Sequence, residues 1–327
     1  MQYKGESIMK KKVVIAIIMI CMLTGCAKTN KNKKVINIGI SQIVEYSALD
    51  QSREGFIKAL EEKGYKDGDN IKIDYQNAQG DITTAQIIGK KFAAQKKDLI
   101  YAIATPSAQG AYNATKKIPI ISTAVTDPVQ AGIVKSLNKP GTNVSGTSDY
   151  LPVEKQLALI KELMPNAKRI GVLYNTSEVN SEVQIKELKK AAKGYEVITS
   201  GVTNTNEVNS AISSLLTKID VLYAPTDQLI VSSMPIIVKN TLKAKIPVIA
   251  SEKGSVESGA LATVGINYYK IGYEAGKMAT EVLKGKDISN MPLKISEQTE
   301  VYINKNTLKS LNIPMPKNEN IKYISNK

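Results

Sequence analysis

The chain predicts an α/β protein built as two similar Rossmann-like lobes. Three observations lead there. Short β-branched runs alternate with amphipathic helical stretches from Val35 onward, the alternation restarts after Thr142-Asn143, and both halves follow one segment plan. Asp98-Leu99-Ile100-Tyr101-Ala102, Thr105-Pro106 and Lys117-Ile118-Pro119-Ile120-Ile121-Ser122 are echoed by Asp220-Val221-Leu222-Tyr223-Ala224, Pro225-Thr226 and Lys245-Ile246-Pro247-Val248-Ile249-Ala250-Ser251. A period of about 120 to 130 residues is too long for a solenoid and suits paired α/β domains. The length, 327 residues, agrees with two domains of roughly 100 to 200 residues each.

In the first half, INIGIS (36–41) reads as a buried strand. Leu49, Phe56 and Leu60 mark a helix that Gly64 can end. IKIDYQ (71–76), a helix over 82–96, DLIYAIA (98–104), a helix from 106 and IPIIST (118–123) complete the lobe. The second series is a helix near 152–164, RIGVLYN (169–175), a helix from 177, YEVITSG (195–201), a helix over 205–217 and DVLYA (220–224). The tail adds a helix over 268–284 that ends at Gly285, a strand over 300–303 and a short helix over 304–311. Gly272 and Gly276, one turn apart, suit close packing on a sheet. Chain crossings near 147, 267 and 296 predict a three-segment hinge, with an N-lobe of 35–147 plus 268–296 and a C-lobe of 148–267 plus 297–327.

The amino terminus is of another kind. Lys10, Lys11 and Lys12 precede eleven apolar residues, Val13 to Leu23, too few for a membrane-spanning helix of about 20 and right for a signal-peptide core. Leu23-Thr24-Gly25-Cys26 then resembles the lipobox of bacterial lipoproteins. That resemblance implies a signal peptide over 1–25, diacylglycerol on Cys26 and a flexible polar tether over 26–34, with two acyl chains giving stable anchoring. Met9-Lys10-Lys11-Lys12 is itself a complete signal-peptide beginning, so translation starts at Met1 or Met9.

Composition removes several functions. The formal charge is +14, but the lysines are scattered and form no nucleic-acid signature. Histidine is absent and the only cysteines are Cys21 and Cys26, which speaks against His-based acid/base chemistry, nucleophile triads and zinc. The expectation is no catalytic residue, no metal, no cofactor and no nucleic-acid partner, in a monomer.

In open parallel sheets, ligands bind beyond the carboxyl ends of strands. Four segments here run from strand through small polar residues into helix: ISQIVEYSALD (40–50), ATPSAQGA (104–111), YNTSEVNS (174–181) and APTDQLIV (224–231). In ATPSAQGA, Thr105 can cap, Pro106 suits the first helical position, and the amides near Ser107 and Ala108 can receive a carboxylate, worth about 0.3 to 1 kcal/mol at an exposed terminus and up to about 2 when partly buried. Thr-Pro also opens helices that bind nothing. Asn175 and Ser177 can complete the carboxylate's hydrogen bonds, or simply cap. Asp227, after Pro225-Thr226, is the natural partner for an α-amino group, or a helix cap. Tyr46 can meet a ligand ring, and Gln42 and Glu45 can reach a phenolic hydroxyl. Asp127-Pro128 and Glu252 face the same cleft.

These segments resemble the ABC transporter solute-binding proteins of the tryptophan-related type. The resemblance spans about Ile36 to Ile313 and rests on VEYSALD, NAQGD, ATPSAQ, VTDPVQAG, NVSGTSD, LYNTSEVNS, APTDQ and GALATVGINYYKIGYEAG. It implies a type I periplasmic-binding-protein fold, an amino acid held between the lobes, and delivery to a permease with its ATPase from the outer face of the membrane. Family members often carry His-Pro where this chain has Tyr46-Ser47, a change in the side-chain pocket. Tyrosine is the first choice of ligand, then phenylalanine or tryptophan. A surface adhesin or ligand sensor on the same fold is the alternative role.

Overall fold

The computed structural model describes residues 35–296, 298–316 and 320–325. The expected signal peptide, the lipid attachment on Cys26 and the expected tether fall on residues outside the described ones.

Two sheets organise the chain. The first is made by β1 (Ile36–Gln42), β2 (Ile71–Asn77), β3 (Leu99–Ile103), β4 (Ile120–Thr123), β5 (Val144–Ser148) and the short β11 (Lys294–Ile295), in the order β2-β1-β3-β4-β5-β11. All its pairings are parallel. The second contains β6 (Arg169–Asn175), β7 (Glu196–Val202), β8 (Val221–Ala224), β9 (Val248–Ala250), β10 (Ala262–Gly265), β12 (Glu300–Asn304) and β13 (Ile321–Ile324), in the order β7-β6-β8-β9-β10-β12-β13.

The five leading strands of each sheet therefore follow one order, and the sequence echo has a structural counterpart. Asp98 and Asp220 stand before β3 and β8, the third strand of each lobe. The Asp98 carboxylate accepts the Asn37 amide at 2.8 Å, and that of Asp220 accepts the Lys168 and Arg169 amides at 2.8 Å each. In each lobe an aspartate pins the start of the central strand to its neighbour.

Helices α1 (Ser47–Glu62), α2 (Ile82–Ala94), α3 (Thr105–Ala114) and α10 (Tyr268–Leu283) cover the first sheet. Its core centres on Phe56 stacked on Tyr101 with ring centroids 3.7 Å apart. The second lobe holds α4 (Val153–Leu163), α5 (Val179–Ala191), α6 (Thr205–Leu216), α7 (Gln228–Ser232), α8 (Met234–Lys243), α9 (Lys253–Glu257) and α11 (Lys305–Ser310). The chain passes between the sheets in the stretches between β5 and α4, between β10 and α10, and between β11 and β12.

Some expectations need correction. The parallel pattern breaks at one edge, where β12 runs antiparallel to β10 and β13 runs parallel to β12. The chain reaches β12 from the other lobe, so no crossover helix sets its direction. β5 was not expected as a strand, because Val-Ser-Gly-Thr-Ser carries small polar residues instead of an apolar run; α8, α9, β10, β11 and β13 were not anticipated either, whereas the helix expected after APTD is α7. Gly146 in β5 is forced by a neighbour, since a Cβ there would lie 1.9 Å from the Ser122 carbonyl oxygen.

Gly272 and Gly276 pack against a helix, not a sheet. A Cβ at Gly272 would come within 1.9 Å of the Ser52 carbonyl oxygen, and one at Gly276 within 2.6 Å of the Phe56 carbonyl oxygen. Across the contact, a Cβ at Gly55 would lie 2.2 Å from the Tyr269 carbonyl oxygen. Bare Cα groups thus let α1 and α10 touch backbone to backbone, and Cα–H···O contacts recur at such crossings. Gly272→Ala is expected to lower unfolding free energy in urea by about 2 to 3 kcal/mol, as overpacking does. An unchanged urea midpoint would show that the two helices part at no cost.

Candidate functional site

Buried polar side chains collect at the carboxyl ends of the strands. From the first lobe come Thr105, Ser107, Thr123, Thr126 and Ser148; from the second come Asn175, Glu178, Asn180, Ser181, Gln184, Thr226, Asp227, Gln228 and Glu252. Asp149 and Tyr268, also buried, sit at two of the crossings between lobes. The groove between the lobes is thus polar, and buried polar atoms must find partners or cost free energy.

Direct bonds join the lobes across it. The Tyr46 hydroxyl donates to Gln228 Oε1 at 3.1 Å, and the Thr126 and Thr226 hydroxyls meet at 3.2 Å. Gln184 Nε2 donates to both threonine hydroxyls. Thr126 also donates to Asp149 Oδ1 at 3.0 Å, while the Tyr268 hydroxyl donates to Asp149 Oδ2 at 3.0 Å. A Cβ at Gly254 in α9 would lie 3.5 Å from Ser47 Cβ in α1, in ordinary contact.

Helix α3 presents its amino end to this region. Ala104, with φ 77°, occupies the cap position, so Thr105 is the first helical residue and not the cap. Positive φ is costly for a residue with a Cβ and clusters at functional sites. The Ala108 amide is not free as expected, because it donates to the Ala104 carbonyl at 3.1 Å. With Pro106 lacking a hydrogen, Thr105 and Ser107 are the residues whose amides precede the intrahelical ladder. Ser107 is 0% exposed and its hydroxyl has no hydrogen-bond partner.

The opposite lobe offers acceptors. Asp227 is fully buried: Oδ2 accepts the Asn175 amide at 2.6 Å and the Ser181 hydroxyl at 2.7 Å, and Oδ1 accepts the Ile230 amide at 3.0 Å. That is the geometry of a helix cap. Glu178 heads α5 without capping it and reaches instead to the Gln228 and Leu229 amides at the start of α7. Asn180 Nδ2 donates to Glu178 Oε2 at 3.1 Å and to the Thr226 carbonyl at 2.8 Å. Glu252 caps α9 through the Gly254 and Ser255 amides.

Burial raises the carboxyls of Asp149, Asp227 and Glu252 above their usual range. Glu178 is pushed up to about 8 by burial and by the charge of Asp227 beside it. Burial and the four acids Glu252, Asp149, Glu178 and Asp227 together hold the Tyr46 phenol far above its ordinary value. Among the described residues none of these four acids pairs with a Lys or Arg.

Other expected residues serve elsewhere. Gln42 is fully buried inside the first lobe, where its amide donates to the Val44 carbonyl and Asp50 and its oxygen accepts from Arg53 at 2.6 Å, so it has no arm left for a phenol. Glu45 is exposed and accepts from the Tyr75 hydroxyl. Ser177 is exposed and its amide donates to Asn175 Oδ1. Asp127 turns its carboxylate to the Val129 and Gln130 amides and lines an outer groove of about 440 Å³ against Glu182, Lys186 and Lys190 of α5. Glu178, Asn180, Gln184 and Gln228 went unchosen, although three of them lie in or beside the quoted YNTSEVNS and APTDQLIV.

Known proteins extend this picture. The family model for ABC transporter substrate binding protein matches residues 37–324. A "Tyrosine-binding protein" of Clostridioides difficile (strain R20291) is 59% identical over 325 residues, covering 95% of this chain and 94% of that protein. The ligand-free, open structure of a substrate binding protein with adhesive properties from Clostridium difficile is 58% identical, with 90% and 100% coverage and a TM-score of 0.69. An ABC domain from Streptococcus pneumonia in complex with L-Trp is 40% identical, with 87% and 97% coverage and a TM-score of 0.84. The chain therefore superposes better on the ligand-bound neighbour than on the more identical open one.

A pH dependence follows from Glu178. Its folded carboxyl titrates near 8 against 4.5 for an ordinary glutamate, so between those values the folded chain holds a proton that the unfolded chain has lost. Stability must then fall as pH rises through that window. The melting temperature of the ligand-free protein is expected to drop from pH 5 to pH 8 more steeply than that of Glu178→Gln. Equal slopes would show that Glu178 is ionised throughout.

Proposed function

We propose that this chain, which belongs to the ABC transporter substrate-binding proteins, captures an amino acid with an aromatic side chain between its lobes. It is a substrate-binding protein and not an enzyme, with the type I periplasmic-binding-protein fold. The observation that carries the amino-acid reading is the opposition of two unlike ends. One lobe offers the amino end of α3 with an unpartnered Ser107 hydroxyl, and the other offers buried acids that lack a cation. A zwitterion supplies what each end lacks, a carboxylate for the helix dipole and an ammonium for the acids.

Tyr46, partly covered and set among those acids, is placed to meet the ligand's ring, and Asn175 and Thr226 border the ammonium end. Tyrosine is the first choice, supported by the tyrosine-binding relative; phenylalanine and tryptophan follow, supported by the L-Trp complex. Closure is supported by the bonds from Tyr46 to Gln228 and from Thr126 to Thr226, and by the better fit to the liganded neighbour. At 58% identity each lobe should superpose closely, so the lower TM-score fits a different arrangement of lobes. The ligand touches both lobes and shifts the open–closed balance by its differential affinity.

The lipobox Leu23-Thr24-Gly25-Cys26 supports a lipid anchor on Cys26 at the outer face of the cell membrane, and family membership supports delivery to a permease and its ATPase. A second role, contact with anionic surfaces, is favoured by the charge, +14 for the full chain and +11 once the four lysines and one glutamate of residues 1–25 are removed, and by the adhesive properties named for the open relative. Such contact would fall steeply with salt. Retention on an anionic wall polymer that is unchanged between low and high salt would remove it.

The chain from Lys28 onward holds the whole compact unit Ile36–Lys327 and suits titration. L-Tyrosine at 100 times its dissociation constant is expected to add about 2.7 kcal/mol to its unfolding free energy. Calorimetry that finds no heat with tyrosine, phenylalanine or tryptophan would remove the substrate assignment.

A further inference from the structure

We propose that Glu178, with the side-chain oxygen of Asn180, receives the ammonium end of the ligand, while Asp227 acts as a structural cap that positions it. The inference rests on the amino-acid reading above and names the residues that read the amine.

Asp227 has little left to give. Three donors of its own lobe already hold it, and it is fully buried. It does what an N-cap does for α7. Glu178 is held by neutral donors as well, the Gln228 and Leu229 amides and the Nδ2 groups of Asn175 and Asn180, so its position and not its donor count sets it apart. It is 3% exposed and leaves its own helix without a side-chain cap. Its carboxylate crosses to the start of α7, where Asp227 already stands. Two acids at the head of a five-residue helix repel each other, and neither pairs with a Lys or Arg among the described residues.

Asn180 supplies an independent observation. Its Nδ2 lies between two acceptors, Glu178 Oε2 and the Thr226 carbonyl, which fixes the orientation of the amide. Oδ1 is therefore the group left over, and it is buried without a partner on a residue only 3% exposed. An unpartnered acceptor beside a carboxyl held only by neutral donors suits a donor that is also a cation. An ammonium has three hydrogens to share between them, and once it displaces the carboxyl proton the two buried charges pair. Burial and Asp227 raise the Glu178 carboxyl, so the empty site keeps a proton whose place an ammonium can take.

The test compares each amino acid with its des-amino partner on the chain from Lys28: L-tyrosine against 3-(4-hydroxyphenyl)propionate, and L-tryptophan against indole-3-propionate. Glu178→Gln keeps the shape and an acceptor for the α7 amides but removes the charge. The expected result is a fall of about 10- to 100-fold in the preference for the amino acid, with the affinity for the des-amino acid unchanged. A merely structural role would weaken both ligands alike. Glu178→Gln that keeps the full preference would overturn the assignment and place the amine elsewhere. If that variant does not melt cooperatively, Asn180→Ala, which removes the Oδ1 acceptor, is used: a lowered preference for the amino acid with the des-amino affinity kept supports the assignment, and an undiminished preference overturns it. Wild-type protein that binds none of the four compounds would instead sink the amino-acid reading itself.

Discussion

Four carboxylates buried where two lobes meet, with no basic side chain among the described residues paired to them, are the constraint on which the rest of the site depends. Asp149, Glu178, Asp227 and Glu252 are each at most 6% exposed. Transfer of a carboxylate out of water costs several kcal/mol even after relaxation. The chain offsets part of that cost with backbone amides and hydroxyls, and the fold is what brings those donors together. Strands that end at one edge lead directly into helix starts, and helix starts are where unclaimed amides are found. Glu252 and Asp227 are neutralised in this local way. Glu178 is offset in the same way by the Gln228 and Leu229 amides and the side-chain amides of Asn175 and Asn180, but the buried Asn180 Oδ1 beside it has no donor, and that fits a cation brought from outside.

The doubled architecture then gives the ligand a direction. Both lobes follow one strand order, and each has an aspartate before its third strand. Their facing edges have nonetheless diverged in chemistry. The first lobe shows a helix start with a bare serine hydroxyl, and the second shows acids and an unpartnered carboxamide oxygen. A symmetric pair of edges would suit a symmetric ligand. This pair suits a molecule that is negative at one end and positive at the other.

Much of this frame was legible in the sequence, because β-branched runs and helical periodicity are local signals. INIGIS, RIGVLYN and DVLYA declare their strands, and Gly64 marks where α1 stops. β5 was not legible, since Val-Ser-Gly-Thr-Ser is buried by the sheet around it and not by its own side chains. The partner of Gly272 and Gly276 was misread for a related reason: the spacing announces close approach but does not name the surface approached. The site residues divide the same way. Asn175 and Asp227 follow from their places at strand ends. Glu178 acts through a contact with residues 50 positions further on, and no local pattern encodes that distance. Gln42 failed in the opposite sense, because Asp50 and Arg53, in the first two turns of α1, claim its amide group first.

The direct bonds between the lobes set the scale on which a ligand can act. Tyr46 to Gln228, Thr126 to Thr226 and Gln184 to Thr126 are hydrogen bonds between neutral groups, each worth about 0.5 to 1.5 kcal/mol net. A ligand that carries a two-state equilibrium from almost wholly open to almost wholly closed needs about 5.5 kcal/mol of differential affinity. One helix-dipole contact to a carboxylate, one buried ion pair with its hydrogen bonds and one covered aromatic ring together reach that range. An anion alone or a cation alone does not, so under the proposed function the lobes would favour a whole amino acid over its fragments.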